Sequence, residues 1–156
     1  MNFTSYENRT HGFKLQYPED WELIDDNPVF AAAIVSPYED SSDYRAEVFV
    51  NIFEVDQDPR SFEEFKEEAP AQIKPLLNDF KVYEMKETIL SSKKAHQIIY
   101  AGKMKFGRLK NLELKHLQVS TQIGKKYYQI GYSHNPNYYE EYLDLISKMM
   151  ESFEIL

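Results

Sequence analysis

Cysteine is absent from the 156 residues, which excludes a disulfide framework, a thiolate nucleophile and any zinc centre built on Cys ligands. Glycine and proline are sparse, at 5 and 7 residues, and nowhere cluster into a linker, so collagen-like, low-complexity and disordered readings fall away. No apolar run approaches the roughly 18 residues needed to cross a bilayer as a helix. The opening Met1-Asn2-Phe3-Thr4-Ser5-Tyr6 has no basic segment followed by an apolar stretch. If Met1 is the native start, the expected location is cytoplasmic; if the sequence is a mature fragment, it is extracytoplasmic. The sequence also has no GxSxG elbow, GxxxxGK[ST] phosphate loop, GxGxxG turn or HExxH pair, so serine-hydrolase, P-loop, Rossmann and zincin chemistries lack their defining parts.

Hydrophobic residues make up 42% and charged residues 28% of the chain, enough for a core without metal or disulfide staples. At this length a domain buries roughly 68–70% of the surface its unfolded chain exposes. We read residues 1–156 as a single domain and expect a monomer. The formal net charge of −8 argues against nucleic-acid binding, because a phosphate backbone rewards clustered Lys and Arg. That average conceals a polarity. Residues 1–79 carry 18 acidic and 6 basic side chains, whereas residues 80–126 carry 3 acidic and 11 basic ones.

Phe13, Leu15 and Tyr17 alternate with polar residues up to Pro18, the pattern of a half-buried strand. Trp21 and Leu23 indicate a second short strand. The segments Val29–Val35 and Glu47–Val55 are apolar on both faces and predict the centre of a covered sheet. A capping box, Ser61 with Glu64, opens a helix carrying Phe62, Phe65, Ala69, Ile73 and Leu76 on one side, which Pro70 should kink or restart. Four β-rich stretches follow, at about 81–90, 94–106, 109–123 and 126–133, with turns at Gly107-Arg108 and Gly124-Lys125. In the third, the apolar parity changes near His116, which predicts a β-bulge. Asn135-Pro136 predicts the start of a terminal amphipathic helix bearing Tyr139, Tyr142, Leu143, Ile146, Met149 and Phe153. Trp21, Val48, Val50, Ile52, Ile98, Leu143 and Ile146 are the expected core.

Two groups of residues offer chemistry. Lys103, Lys105, Arg108, Lys110 and Lys115 form a candidate partner-binding patch for an acidic protein or an anionic surface. Lys103 and Lys105 share a strand face, and Arg108 and Lys110 can continue it beyond Gly107. Glu39, Asp40 and Asp43 in a polar loop supply hard oxygen ligands for a divalent cation, and His96 and His116, in neighbouring strands, could face one another as a two-His metal site. No resident cofactor is implied. The 12 tyrosines and 10 phenylalanines suit either an aromatic pocket or the two faces of a covered sheet.

Tyr6-Glu7-Asn8, followed by Gly12-Phe13-Lys14-Leu15-Gln16-Tyr17-Pro18-Glu19-Asp20-Trp21, resembles the opening of PsbP-like domains. Glu151-Ser152-Phe153-Glu154-Ile155 is similar to their C-terminal end. The resemblance implies an α+β fold of the Mog/PsbP type: an α/β/α sandwich with a mainly antiparallel, twisted sheet flanked by helices. Members include the extrinsic photosystem II subunit, lipoproteins of unknown role and Ran-binding Mog-type import factors, so it also implies a non-catalytic binding or accessory domain. The expected partner is a protein within a larger assembly, with peripheral membrane association as a variant of that role. The alternative is a small-ligand or divalent-cation binding protein. The lipoproteins' anchoring cysteine has no counterpart here.

Overall fold

The structure, a computed structural model, describes residues 2–38 and 44–156. In chain order the first strands are β1 (Phe3–Asn8), β2 (Phe13–Pro18), β3 (Glu22–Ile24), β4 (Ala32–Val35) and β5 (Glu47–Glu54). Helix α1 (Phe62–Ile73) and a 3₁₀ turn at Lys74–Leu76 lead into β6 (Leu77–Leu90), β7 (Lys93–Met104), β8 (Glu113–Ile123) and β9 (Lys126–His134). A second 3₁₀ turn (Tyr139–Tyr142), α2 (Leu143–Ser152) and β10 (Glu154–Ile155) complete the chain. A seven-stranded sheet has the order β3-β4-β5-β9-β8-β7-β6, and a small sheet the order β1-β2-β10, with every pairing antiparallel.

Side-chain parity divides the large sheet into two environments. Val48, Val50, Leu117, Val119, Tyr128, Ile130 and Tyr132 point to one face and form the main core with Phe13 and Leu15 of β2, Ile146 and Met149 of α2, and Phe153. The small sheet and α2 cover this face. On the other, α1 lays Phe65, Ala69 and Ile73 over a second cluster of Leu77, Ile98 and Tyr100. No residue of α1 is fully buried; the helix is held at its start by the capping box, in which the Glu64 N–H donates to Ser61 Oγ at 3.1 Å and the Ser61 N–H to Glu64 Oε1 at 3.0 Å. The layers are those of an α/β/α sandwich in the α+β class, with a second sheet beside α2.

The α1 face is only partly roofed, because α1 packs on β6 and β7. Over β5, β9 and β8 the exposed face carries a row of hydrogen-bonded side chains. Asn51 donates to Gln129 at 3.3 Å, Gln129 to Gln118 at 3.3 Å, and Gln118 to the Tyr100 hydroxyl at 2.7 Å. Beside this row Gly131 is opposite Phe49, whose ring lies where a side chain would stand, so that a Cβ on Gly131 would clash with it.

Several expectations are corrected. The strand predicted over Val29–Val35 begins at Ala32; Val29, next to Pro28 and donating its N–H to Asn27 Oδ1, is 73% exposed. It also lies one strand from the sheet's edge, so β9 and β5 form the centre instead. There is no bulge at His116, because β8 keeps an unbroken register with β7 and β9. The parity change arises because β8 buries residues on different faces at different points along its length: Leu117 and Val119 enter the main core, while Leu114 is buried on the α1 face opposite Gly102. The register shifts fall in β6 instead, between Asn78 and Lys81 and between Val82 and Glu84. The terminal helix starts at Leu143, not Asn135, because Asn135 closes a turn with Tyr138 and accepts the Asn137 N–H on its side chain. Of the expected core, Ile52 and Leu143 are half-buried at its margin and the rest are buried.

Candidate functional site

The β7–β8 connection is an eight-residue tip, residues 105–112. Met104 and Leu112 are the last pair, with the Met104 N–H donating to Leu112 O at 3.0 Å and the Asn111 N–H returning to Met104 O at 2.7 Å. Gly107 (φ +82°) and Asn111 (φ +71°) take the left-handed conformations that the reversal requires. A bond from the Lys105 N–H to Leu76 O at 3.2 Å joins the tip to the 3₁₀ turn after α1. Two apolar side chains stand in solvent here, Phe106 at 64% and Leu76 at 55% exposure. Lys105, Arg108 and Lys110 belong to the same tip as Phe106, and Lys74 opens the 3₁₀ turn that ends at Leu76. Among the described residues, none of these four cations has a carboxylate within ion-pairing distance.

The other two members of the sequence-defined patch are engaged. Lys103, paired with Glu113 across the ladder, reaches Asp79 Oδ2 at 3.5 Å. Lys115 is held within the fold: its Nζ is 4.3 Å from the Tyr83 ring centre, 4.6 Å from that of Tyr139 and 3.7 Å from Glu140 Oε1. The structure thus keeps Lys105, Arg108 and Lys110 on one tip, pairs Lys103 at its base and engages Lys115 with Tyr83, Tyr139 and Glu140. It adds Lys74, Leu76 and Phe106. The alternation of apolar and basic residues in Lys105-Phe106-Gly107-Arg108-Leu109-Lys110 is the sequence signal for Phe106, whereas Lys74 and Leu76 arrive through tertiary contact alone.

Of the metal candidates, the structure describes His96 and His116 alone. Glu39, Asp40 and Asp43 lie outside the described residues. His96 pairs with Ser120 and His116 with Tyr100, so the two imidazoles are four ladder positions apart on one face. Each has its own surroundings. His116 stacks on Tyr100 at 4.7 Å, and burial pushes its imidazole down to about 4. His96 lies against Phe65 at 4.8 Å and Phe62 at 5.7 Å, and partial burial lowers its pKa. Among the described residues no three His, Asp or Glu side chains converge on a point that could hold an ion.

A second feature is a cleft of about 430 Å³ beside α1, which no sequence pattern announced. Its floor is the sheet, through Phe53, His96, Ser120, Gln122 and Tyr127, and its rim is α1 with the connection from β5. Gln122 fastens that connection by donating to Gln57 O at 2.7 Å.

A family model, PsbP, matches residues 1–155. The chain belongs to the PsbP family. No curated protein sequence matches it significantly, but solved structures share its fold. PsbP (CyanoP) of the cyanobacterium Synechocystis sp. PCC 6803 superposes with a TM-score of 0.67 at 14% identity, covering 99% of this chain and 92% of that one. LpqN of Mycobacterium tuberculosis, described as involved in cell envelope biogenesis, gives 0.69 at 14% identity over 99% and 90%. The Ran-binding protein Mog1p of Saccharomyces cerevisiae gives 0.66 at 9% identity over 99% and 96%. At these identities the likeness is one of fold. It bears out the antiparallel α+β architecture, as the family model bears out the PsbP-like resemblance.

Proposed function

We propose that this PsbP-family chain is a non-catalytic docking domain that engages the acidic face of a protein partner through the β7–β8 tip. The observation that carries the reading is an exposed Phe106 among Lys74, Lys105, Arg108 and Lys110, none with a carboxylate partner among the described residues, on a chain of net charge −8. Apolar-plus-Arg surfaces of this kind favour interface centres. The energetics assign distinct roles. Covering Phe106 would contribute about 1.5–3 kcal/mol, whereas each exposed ion pair contributes about 0–1 kcal/mol and fades with salt. Phe106 therefore anchors, and the cations select for negative charge and speed encounter. The Ran-binding relative of the same fold supports a protein partner as the class.

The test is simultaneous replacement of Lys103, Lys105, Arg108 and Lys110 by Glu, with Phe106→Ser made separately. Melting temperature and partner capture are then measured at about 0.05 M and about 0.5 M salt. Retained folding with loss of capture in both variants, and salt-sensitive capture by the wild type, supports the reading. Unchanged capture by the charge-reversed protein defeats it. Equivalent binding to phosphatidylglycerol vesicles, abolished by the same substitutions, would reassign the tip to a lipid surface.

A further inference from the structure

The cleft beside α1 combines features that go beyond docking at the tip. Its walls are rings. Phe53, which is 48% exposed, stacks on Tyr127 at 5.0 Å with 28° between planes, and Phe65 of α1 lies on His96 at 4.8 Å with 37° between planes. All four line the cavity together with Ala69 and Val55. Such planar walls suit a flat, unsaturated body. The volume of about 430 Å³ falls in the range of small-molecule sites.

The charges in the lining are unequal. Arg60 is held in place by two carboxylates, a cluster of net charge −1: its Nη1 is 3.2 Å from Glu64, its Nε 3.3 Å from Glu68, and its Nη2 donates to Gln57 at 2.6 Å. Glu68, the one carboxylate among the lining residues, is consumed by that pairing. Lys94 is not paired. It lies two residues before His96 in β7, hence on the same face of the sheet, and no carboxylate of the described residues reaches it. The aromatic walls thus stand beside an exposed lysine, Lys94, with no carboxylate partner among the described residues.

We propose that this cleft binds a small aromatic carboxylate. Its ring lies between Phe65 and the Phe53–Tyr127 pair, and its carboxylate is held by Lys94 with the His96 imidazole beside it. A neutral aromatic of the same shape would fill the walls but leave the Lys94 charge unanswered. A dianion would bring one charge too many for Lys94, the one lining cation without a carboxylate partner among the described residues.

The probe is 2-naphthoate, with 2-naphthamide as its uncharged isostere. Each is titrated into the ¹⁵N-labelled full chain and followed by amide chemical shifts, in the wild type and in Lys94→Met. Lys94 is exposed, so this variant should keep the wild-type amide fingerprint. The expected result is saturable binding of 2-naphthoate with shifts concentrated at Ala69, His96, Ser120 and Gln122. The amide should bind about tenfold more weakly to the wild type, and Lys94→Met should abolish the difference. Ala69→Phe, which fills the cleft from the helix, should weaken both ligands at least tenfold. The proposal is overturned if 2-naphthoate gives no saturable shifts, if the shifts fall elsewhere, or if acid and amide bind equally to the wild type. A preference for the acid that survives Lys94→Met would overturn it as well.

Discussion

Tyr132 and Tyr139 are adjacent, stacked at 5.0 Å, and almost wholly inaccessible at 0% and 1% exposure, yet losing the same atom from each should move stability in opposite directions. The Tyr132 hydroxyl donates to the Tyr139 backbone carbonyl at 2.9 Å, tying β9 to the 3₁₀ turn that precedes α2. Tyr132→Phe removes that donor from a buried carbonyl and should cost about 1–3 kcal/mol. The Tyr139 hydroxyl is buried without a hydrogen-bond partner among the described residues, and burial raises its pKa well above the ordinary phenol value. An unpaired buried hydroxyl costs about 1–3 kcal/mol on mutational scales, from which the packing lost with one oxygen atom must be subtracted. Tyr139→Phe should therefore be neutral or stabilising by up to about 1 kcal/mol, and it keeps the ring face against Lys115. Guanidinium unfolding of both variants with an unchanged m-value measures this directly; for a chain of this size 1 kcal/mol corresponds to about 2–4 °C in melting temperature. Destabilisation of more than 1 kcal/mol by Tyr139→Phe, or no effect of Tyr132→Phe, would refute the reasoning.

Gly131→Ala should cost about 1–3 kcal/mol because its Cβ meets the Phe49 ring, and Phe49→Leu in the same chain should recover part of that loss in urea unfolding. Ser61→Ala removes the side-chain acceptor of the α1 capping box and should cost about 1 kcal/mol, read as a lower denaturation midpoint. His116 and His134 are held near pKa 4 by burial against an ordinary 6.5. The unfolded chain takes up protons first as pH falls. Stability should thus be full above about pH 6.5, decline toward pH 4 by up to about 3 kcal/mol per site, and level off below. His116→Phe, which keeps the stack on Tyr100 and removes a buried nitrogen lacking a partner among the described residues, should flatten that profile in denaturant titrations between pH 7.5 and 4.5.

What could be read from the sequence was periodic or local. The alternation in Phe13-Lys14-Leu15-Gln16-Tyr17 marked β2, and Ser61 with Glu64 marked the start of α1. The PsbP-like opening and ending supplied the layer order that no single pattern contains. His116 illustrates why the bulge was misplaced. A strand that buries one face over part of its length and the other face further along shows apolar residues of both parities, which a period-two reading takes for a register shift. Val29 and Asn135 were misread because Pro28 and Pro136 border turns whose side-chain bonds, Asn27 to Val29 and Asn135 to Asn137, compete with regular structure. Of the candidate tip, the basic residues were legible, but Lys115's capture by Tyr83 and Tyr139 was not, since these rings come from other elements. The cleft was invisible for the same reason, being assembled from five separate segments of chain.

The central claim is that the β7–β8 tip is the docking surface, and a photo-crosslinker in place of Phe106 tests it most directly. The protein, carrying benzoylphenylalanine at position 106, is irradiated in its native cell beside a control carrying the same group at the exposed position Glu63 on α1. The account predicts a discrete crosslinked protein from position 106, with an acidic contact segment identified by mass spectrometry, and its loss when Lys105, Arg108 and Lys110 are changed to Glu. A crosslink from position 63 with none from position 106, or one from 106 that survives the charge reversal, would contradict it.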